Sequence, residues 1–82
     1  MDKLISKFRK NAFEEIQISA REFHDRQLVD IRTFVGSRGQ ETVPTRKGVC
    51  IPIELYGEFS KAIRYLEEIL EEEGLIIGDK FK

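Results

Sequence analysis

The sequence predicts a small α+β domain in which a β-sheet is followed by one long C-terminal helix. Apolar and polar residues alternate over 14–23 and again over 28–35, which is typical of strands with one buried face. Over 53–73, apolar residues recur every three or four positions, as on one side of an amphipathic helix. The chain has 82 residues, so we expect these segments to form one domain.

The first thirteen residues form a basic leader. They include four Lys and Arg residues, and their apolar residues recur at helical spacing. A short helix and an ordered arm are therefore both open for this segment. We expect an N-terminal arm or short element over 1–13, the main domain over 14–77 and a polar tail over 78–82.

The predicted strand over 14–23 carries a phenylalanine on its polar face. Ile16 and Ile18 share one face, because successive side chains of a strand point to opposite sides. Phe23 falls on the other face, beside Arg21. An aromatic ring among charged side chains indicates either a binding surface or a contact that a partner element covers.

Two polar segments separate the strands that follow. Residues 24–27 predict a turn into the strand 28–35, and a Gly-containing segment over 36–39 predicts the next turn or loop. Within 28–35, Arg32 shares one face with Phe34, because the two are two positions apart.

A third strand is predicted over 40–51, with two irregular positions. Pro44 has no backbone N–H to donate, so it should lie at a sheet edge or in a bulge. Gly48 follows Arg46 and Lys47, where a bulge or a close approach to the backbone would require a glycine.

The helix predicted over 53–73 has one apolar face. Glu54 and Glu58 lie in its early turns, where negative charge is favourable, and Gly74 follows its end as a natural cap. A chain this short buries a modest core, so we expect a second copy to cover the apolar face. The candidate homodimer contacts are Tyr56, Phe59, Ile63, Leu66, Ile69 and Leu70.

The composition argues against catalysis and metal binding. Cys50 is the only cysteine and His24 the only histidine, which excludes an internal disulfide and a cysteine-rich metal site. No nucleophile is paired with a base, so we expect no enzyme activity and no cofactor. No segment resembles a signal peptide or approaches the length of a membrane span, so we expect a cytoplasmic protein, nucleoid-associated if bacterial.

Charge is distributed unevenly along the chain. Residues 1–50 carry ten Lys and Arg against seven Asp and Glu, a net charge of +3, whereas residues 51–82 carry four against eight, a net charge of −4. If the strands pair as a meander, cations and aromatic rings converge on one face, which suits single-stranded nucleic acid. The residues alone fit an ordinary polar sheet face equally well. The set comprises Arg21, Phe23, His24, Arg26, Arg32, Phe34, Arg38, Arg46 and Lys47.

Three segments together resemble the transcriptional coactivator family of positive cofactor four. They are R-E-F at 21–23, L-V-D-I-R at 28–32 and P-T-R-K-G at 44–48. Members of that family carry R-D-F, V-L-I-D-I-R-E-Y-W and P-G-R-K-G-I-S-L in this order, followed by one helix. The resemblance implies a curved antiparallel sheet of four strands, whose first strand could recruit part of 5–13. It also implies a homodimer that binds single-stranded DNA.

Site residues follow from the resemblance position by position. Phe23 matches the stacking phenylalanine of the family, and His24 and Arg26 match two lysines of the turn. Arg32 matches the arginine of D-I-R. The basic segment of the third strand is matched by Pro44, Arg46 and Lys47, and the helix tryptophan by Tyr56.

The chain also departs from the family pattern. Val35 stands at a stacking tryptophan, and Phe34 stands at a tyrosine. Asp25 replaces the turn glycine, and Thr45 replaces the glycine of P-G-R-K-G. These departures predict binding that is weaker or of different sequence preference.

The sequence therefore predicts a homodimer that binds single-stranded DNA with little sequence preference, in transcription regulation or in DNA replication and repair. Two alternatives stay open: a protein-interaction module that recruits transcription or replication partners, and an RNA-binding protein. No membrane partner is expected. The expected nucleic-acid contacts are Arg21, Phe23, His24, Arg26, Arg32, Phe34, Arg38, Pro44, Arg46 and Lys47.

Overall fold

The computed structural model describes residues 2–77, which form a four-stranded antiparallel sheet followed by one helix. The strands lie in the order β1-β2-β3-β4, so each neighbour in the chain is also a neighbour in the sheet. This arrangement confirms the α+β prediction. The predicted polar tail over 78–82 lies outside the described residues. The elements are β1 (Lys3–Arg9), β2 (Glu14–Phe23), β3 (Arg26–Val35), β4 (Val43–Pro52), a 3₁₀ turn (Ile53–Leu55) and α1 (Tyr56–Glu72).

The basic leader contains the first strand, and the short-helix alternative for it is wrong. β1 pairs antiparallel with β2, with Leu4 opposite Ser19 and Ser6 opposite Ile18. The register shifts between Leu4 and Ser6, so Ile5 is an extra residue in the ladder. This extra residue breaks the two-residue alternation and produces an apolar spacing that imitates a helix.

A two-residue turn joins β2 to β3. His24 and Asp25 both have positive φ, of 52° and 63°, which is the signature of a type I′ hairpin turn. The turn is shorter than predicted from 24–27, and it places Phe23 directly opposite Arg26.

β4 is an edge strand that bulges away from β3. Phe34 pairs with Pro44 and Arg32 pairs with Gly48, so three residues of β4 lie opposite the single residue Thr33. A side chain at Gly48 would bring its Cβ within 2.6 Å of the Ile31 carbonyl oxygen. Both irregular positions predicted from the sequence therefore have a structural reason, and the close approach at Gly48 is to the neighbouring strand.

The sheet has two chemically different faces. In an antiparallel pair, residues directly opposite each other point to the same side, so the register assigns every side chain. The apolar face carries Ile16, Ile18, Ala20, Val29, Ile31, Val35, Val43, Val49 and Ile51, together with Thr33 and, toward the strand ends, Glu14, Glu22 and Gln27. The polar face consists of Glu15, Gln17, Ser19, Arg21, Phe23, Arg26, Leu28, Asp30, Arg32, Phe34 and Cys50.

One copy of the chain does not bury an apolar core. Within residues 2–77 no apolar side chain is classed as buried, whereas Glu15, Asp30 and Thr33 are. α1 contains no buried residue, and it has few close contacts with the sheet. The apolar face and the helix therefore leave hydrophobic surface uncovered.

The helix ends where the sequence predicted. Gly74 has a φ of 74°, its N–H donates to the Glu71 carbonyl, and the Leu75 N–H donates to the Leu70 carbonyl. This pair of bonds is a Schellman cap, which uses the left-handed conformation that glycine adopts without strain. None of the described helices is both long and apolar enough to cross a membrane.

Candidate nucleic-acid interface

The tip of the β2–β3 hairpin presents an aromatic ring beside a cation. Phe23 is 65% exposed although it is a large apolar residue. Its ring meets the His24 ring edge-on, with centroids 4.1 Å apart. Arg26 is exposed directly across the ladder from Phe23. Since the I′ turn fixes both strands at this point, the ring is held in the open by the backbone.

An ion pair occupies the middle of the polar face. The Arg32 Nε donates to both carboxylate oxygens of Asp30, at 3.2 and 3.1 Å, and the Arg32 Nη2 donates to Asp30 Oδ1 at 2.8 Å. The Cys50 thiol also donates to Asp30 Oδ1, at 3.3 Å, and Arg21 approaches the same carboxylate at 4.0 Å.

The surroundings of Asp30 keep it ionised. Burial raises the pKa of Asp30, but the hydrogen bonds from Arg32 and Cys50 and the charges of Arg32 and Arg21 outweigh burial. The pKa of Asp30 therefore lies below its ordinary value. The sequence interpretation passed over this residue as a site, although an acidic side chain between Val29 and Ile31 in a strand was a usable signal.

A cavity of about 250 Å³ lies between the hairpin tip and this ion pair. Phe23, Leu28 and Cys50 give it apolar wall, and Arg21, Asp30 and Arg32 line its charged side. The cavity is therefore an open groove in which a flat ring could rest against Phe23 with charged groups at its edge.

The β4 bulge carries the second group of cations. Arg46 and Lys47 are both exposed, and Lys47 Nζ lies 3.9 Å from the Glu14 carboxylate. Thr45 is partly buried beneath them, and Pro44 marks the point where pairing with β3 resumes. The bulge therefore places two exposed cations next to each other at the edge of the sheet, and Lys47 reaches back toward Glu14 of β2.

The remaining predicted contacts lie at the far end of the polar face. Phe34 pairs with Glu15, eight residues along β2 from Phe23, which corresponds to roughly 26 Å in a strand. Arg38 lines a separate cavity of about 340 Å³ together with Lys7 and Glu15. The structure thus groups Arg21, Phe23, His24 and Arg26 at one end, places Arg32 in the middle, and places Phe34 and Arg38 at the other end.

The loop around Arg38 is fastened by an arginine of β1 that the sequence interpretation did not single out. Arg9 Nη2 donates to the Ala12 carbonyl at 2.7 Å and to the Gly36 carbonyl at 2.9 Å, and Arg9 also pairs with Glu15. Val35, at the position of the family tryptophan, lies on the apolar face. It is therefore separated by the sheet from Phe23.

The helix residues predicted as dimer contacts are incompletely covered in one copy. Ile63 and Leu66 are 47% and 48% exposed, and Tyr56 is exposed as well, whereas Phe59, Ile69 and Leu70 are half-buried. Ile63, Leu66 and Leu70 line an open apolar cavity of about 350 Å³ with Ile76 of the following segment.

Comparison with known proteins places this geometry in context. A family profile described as Transcriptional Coactivator p15 (PC4) matches residues 6–62. The chain is similar to the crystal structure of BPSL1147, a PC4 homolog from Burkholderia pseudomallei K96243, in two crystal forms. The orthorhombic form shares 34% identity over 79% of this chain and 88% of that chain, with a TM-score of 0.69. The tetragonal form shares 33% identity over 80% of this chain and 97% of that chain, with a TM-score of 0.68.

A phage protein has the same fold at lower identity. It is the bacteriophage T5 homolog of the eukaryotic transcription coactivator PC4, implicated in recombination-dependent DNA replication. The similarity covers 90% of this chain and 82% of that chain at 23% identity, with a TM-score of 0.63. No curated protein matches the sequence significantly.

The ion pair of the polar face generates a pH prediction. We expect Asp30→Asn to lower the free energy of unfolding by about 1–3 kcal/mol near neutral pH, because it weakens charge-assisted bonds to Arg32. Because the pKa of Asp30 is depressed, its ionised side chain stabilises the fold above the ordinary pKa of 3.8. This stabilisation is lost as the pH falls and Asp30 becomes protonated. The difference between variant and wild type should therefore shrink in acid, as measured by urea unfolding across pH. Asp25→Asn, in the exposed turn, is the control and should change little; a difference that grows in acid would contradict the prediction.

Proposed function

Because the chain belongs to the family described as Transcriptional Coactivator p15 (PC4), we propose that it binds single-stranded DNA through the polar face and acts as a homodimer. The observation that carries this proposal is Phe23, an exposed phenylalanine held at a hairpin tip with Arg26 opposite. Aromatic rings stack on unpaired bases, whereas a duplex hides its base faces. Stacking on a ring is tolerant of sequence, so little sequence preference is expected.

Exposed cations beside the ring and on the β4 bulge would supply the complementary contact to phosphate. Arg26 and Arg46 form no ion pair with another residue of 2–77, whereas Lys47 forms one exposed ion pair, with the Glu14 carboxylate at 3.9 Å. Unpaired exposed cations lose little on contacting phosphate, and each contact releases counterions from the strand. The proposed binding surface therefore extends along the sheet from the hairpin tip to the edge strand that carries the β4 bulge.

The family and the phage homolog support a proposal about the biological role. The family is described as a transcriptional coactivator, and the T5 homolog is implicated in recombination-dependent DNA replication. Both processes expose unpaired strands. We infer a non-catalytic role for this chain in transcription regulation or in DNA replication and repair.

A protein-interaction module is the second candidate, favoured by the hydrophobic surface that one copy leaves open. The exposed apolar stripe of α1, formed by Tyr56, Ile63 and Leu66, would then recruit a transcription or replication protein. An electrophoretic shift with single-stranded, duplex and RNA oligonucleotides separates the candidates. Preference for single-stranded DNA supports the leading proposal, and absence of any shift supports the second.

Homodimerisation would bury the apolar surface that one copy of the chain leaves exposed. No apolar side chain of 2–77 is buried in one copy, and domains of this size gain stability by oligomerisation when neither disulfide nor metal is present. A symmetric contact between two copies of the α1 stripe would bury Ile63 and Leu66 of one copy against the same two residues of the other copy. The polar face, which lies on the other side of the sheet from the apolar face, would stay accessible.

The stacking claim predicts a large effect of Phe23→Ala on binding. The affinity for oligothymidine should fall by about 1–3 kcal/mol, roughly five- to 150-fold, because one stacking ring is lost. Phe13→Ala is a matched control, since Phe13 is 66% exposed but lies outside the polar face. Fluorescence anisotropy measures both, and equal affinities for the two variants would refute stacking at Phe23.

The phosphate claim predicts a changed salt dependence. Arg46→Ala combined with Lys47→Ala should reduce the slope of log affinity against log salt by about 1.4, because each contact to a single strand contributes about 0.7. Lys61→Ala combined with Arg64→Ala removes the same charge from the helix and should leave the slope unchanged. An unaltered slope in the bulge variant would exclude phosphate contacts there.

The dimer claim predicts sedimentation at twice the 9.6 kDa of one chain at micromolar concentration. Leu66→Glu should shift the population toward monomer and lower the unfolding temperature, because it places a charge in the apolar contact. Lys61→Glu, away from the stripe, controls for added negative charge. A wild-type chain that sediments as a monomer would rule out the dimer.

A further inference from the structure

The β4 bulge leaves backbone groups without ladder partners. Residues 45–47 lie opposite the single residue Thr33, so the regular exchange of hydrogen bonds with β3 is interrupted. Bulged segments bend, and their unpaired N–H and C=O groups need other partners. The two cations proposed to contact phosphate stand on this irregular segment.

Thr45 holds the bulge from inside with its side chain. Its hydroxyl donates to the Thr33 carbonyl at 2.8 Å and accepts from the Lys47 N–H at 3.1 Å. One side chain therefore ties the bulge both to β3 and to itself. The resembling family motif has glycine here, which offers no hydroxyl.

Arg32 holds the same segment from the polar face. Its Nη1 donates to the Thr45 carbonyl at 2.9 Å, while its Nε and Nη2 are engaged by Asp30. The Arg32 side chain is 20% exposed, in contrast to 71% for Lys47. A guanidinium whose three nitrogens already donate hydrogen bonds to a carboxylate and a carbonyl is poorly placed to bind a phosphate.

We propose that Thr45 and Arg32 are positioning residues that hold the bulge in one geometry, so that Arg46 and Lys47 meet the phosphates, and that Arg32 itself does not contact phosphate. This inference rests on the proposed single-stranded DNA binding. Binding benefits because a segment that is already ordered loses less conformational entropy on contact with the strand. Asp30 takes part through Arg32, since it fixes the plane of the guanidinium.

Thr45→Val tests the proposal, because valine keeps the branched shape and removes only the hydroxyl. We expect affinity for oligothymidine to fall about three- to tenfold, the loss typical of one or two hydrogen bonds, and the salt slope to decrease. Thr45→Ser retains the hydroxyl and should restore both. In the free protein, Thr45→Val should also speed hydrogen exchange of the Lys47 amide, which loses its acceptor.

A thermodynamic cycle distinguishes positioning from direct contact. In the Arg46→Ala and Lys47→Ala background, Thr45→Val and Arg32→Lys should cause no further loss, because the cations they position are gone. Arg32→Lys keeps the charge but cannot reproduce the forked contact with Asp30. If this variant folds poorly, Thr45→Val decides alone.

The outcomes separate the two levels of inference. A wild-type chain that fails to bind single strands overturns the proposed function and this inference with it. Wild-type binding that Thr45→Val leaves unchanged overturns only the inference. An Arg32→Lys loss as large without the two cations as with them shows that Arg32 contacts the strand directly.

Discussion

The two-residue turn at His24 and Asp25 determines the register of β2 against β3, and the rest of the structure depends on that register. A slip of one residue would exchange the two faces of the sheet, because strand side chains alternate with a period of two. With the observed register, Ile18 lies opposite Ile31 on one side, and Ser19 lies opposite Asp30 on the other. The turn requires two residues with positive φ, a conformation that aspartate tolerates better than most side chains.

The polar face cannot be stabilised by hydrophobic burial, so polar contacts perform that task. Asp30 is buried among donors and acts as the common acceptor for Arg32 and Cys50. Removing a charge from water is costly unless its partners are complete, and here the partners come from both β3 and β4. The same contacts that satisfy Asp30 also orient Arg32 toward the bulge. Stability and the geometry of the proposed binding surface are therefore coupled on this face.

The sequence predicts regular elements well and irregular ones poorly. Alternation predicted β2 with the observed bounds, and the Gly74 cap was confirmed by its hydrogen bonds. β1 was misinterpreted because the extra residue Ile5 disrupts its alternation. The predicted 53–73 helix begins instead with a 3₁₀ turn, since Pro52 precedes it and the α-helical hydrogen bonds start at Tyr56.

The role of Arg32 illustrates what a sequence cannot supply. Its place in L-V-D-I-R predicts a cation on the polar face of the sheet. The structure confirms that Arg32 lies on this face, opposite Gln17. Whether this cation is free to bind a ligand depends on two acceptors. One is the carboxylate of Asp30, two residues away on the same face. The other is the Thr45 carbonyl, which the three-residue bulge brings within 2.9 Å of Arg32. Formal charge therefore overstates the number of cations on this face that are free to contact a phosphate. A surface with fewer free cations and one exposed ring should depend more on stacking and less on salt than its count of arginines suggests.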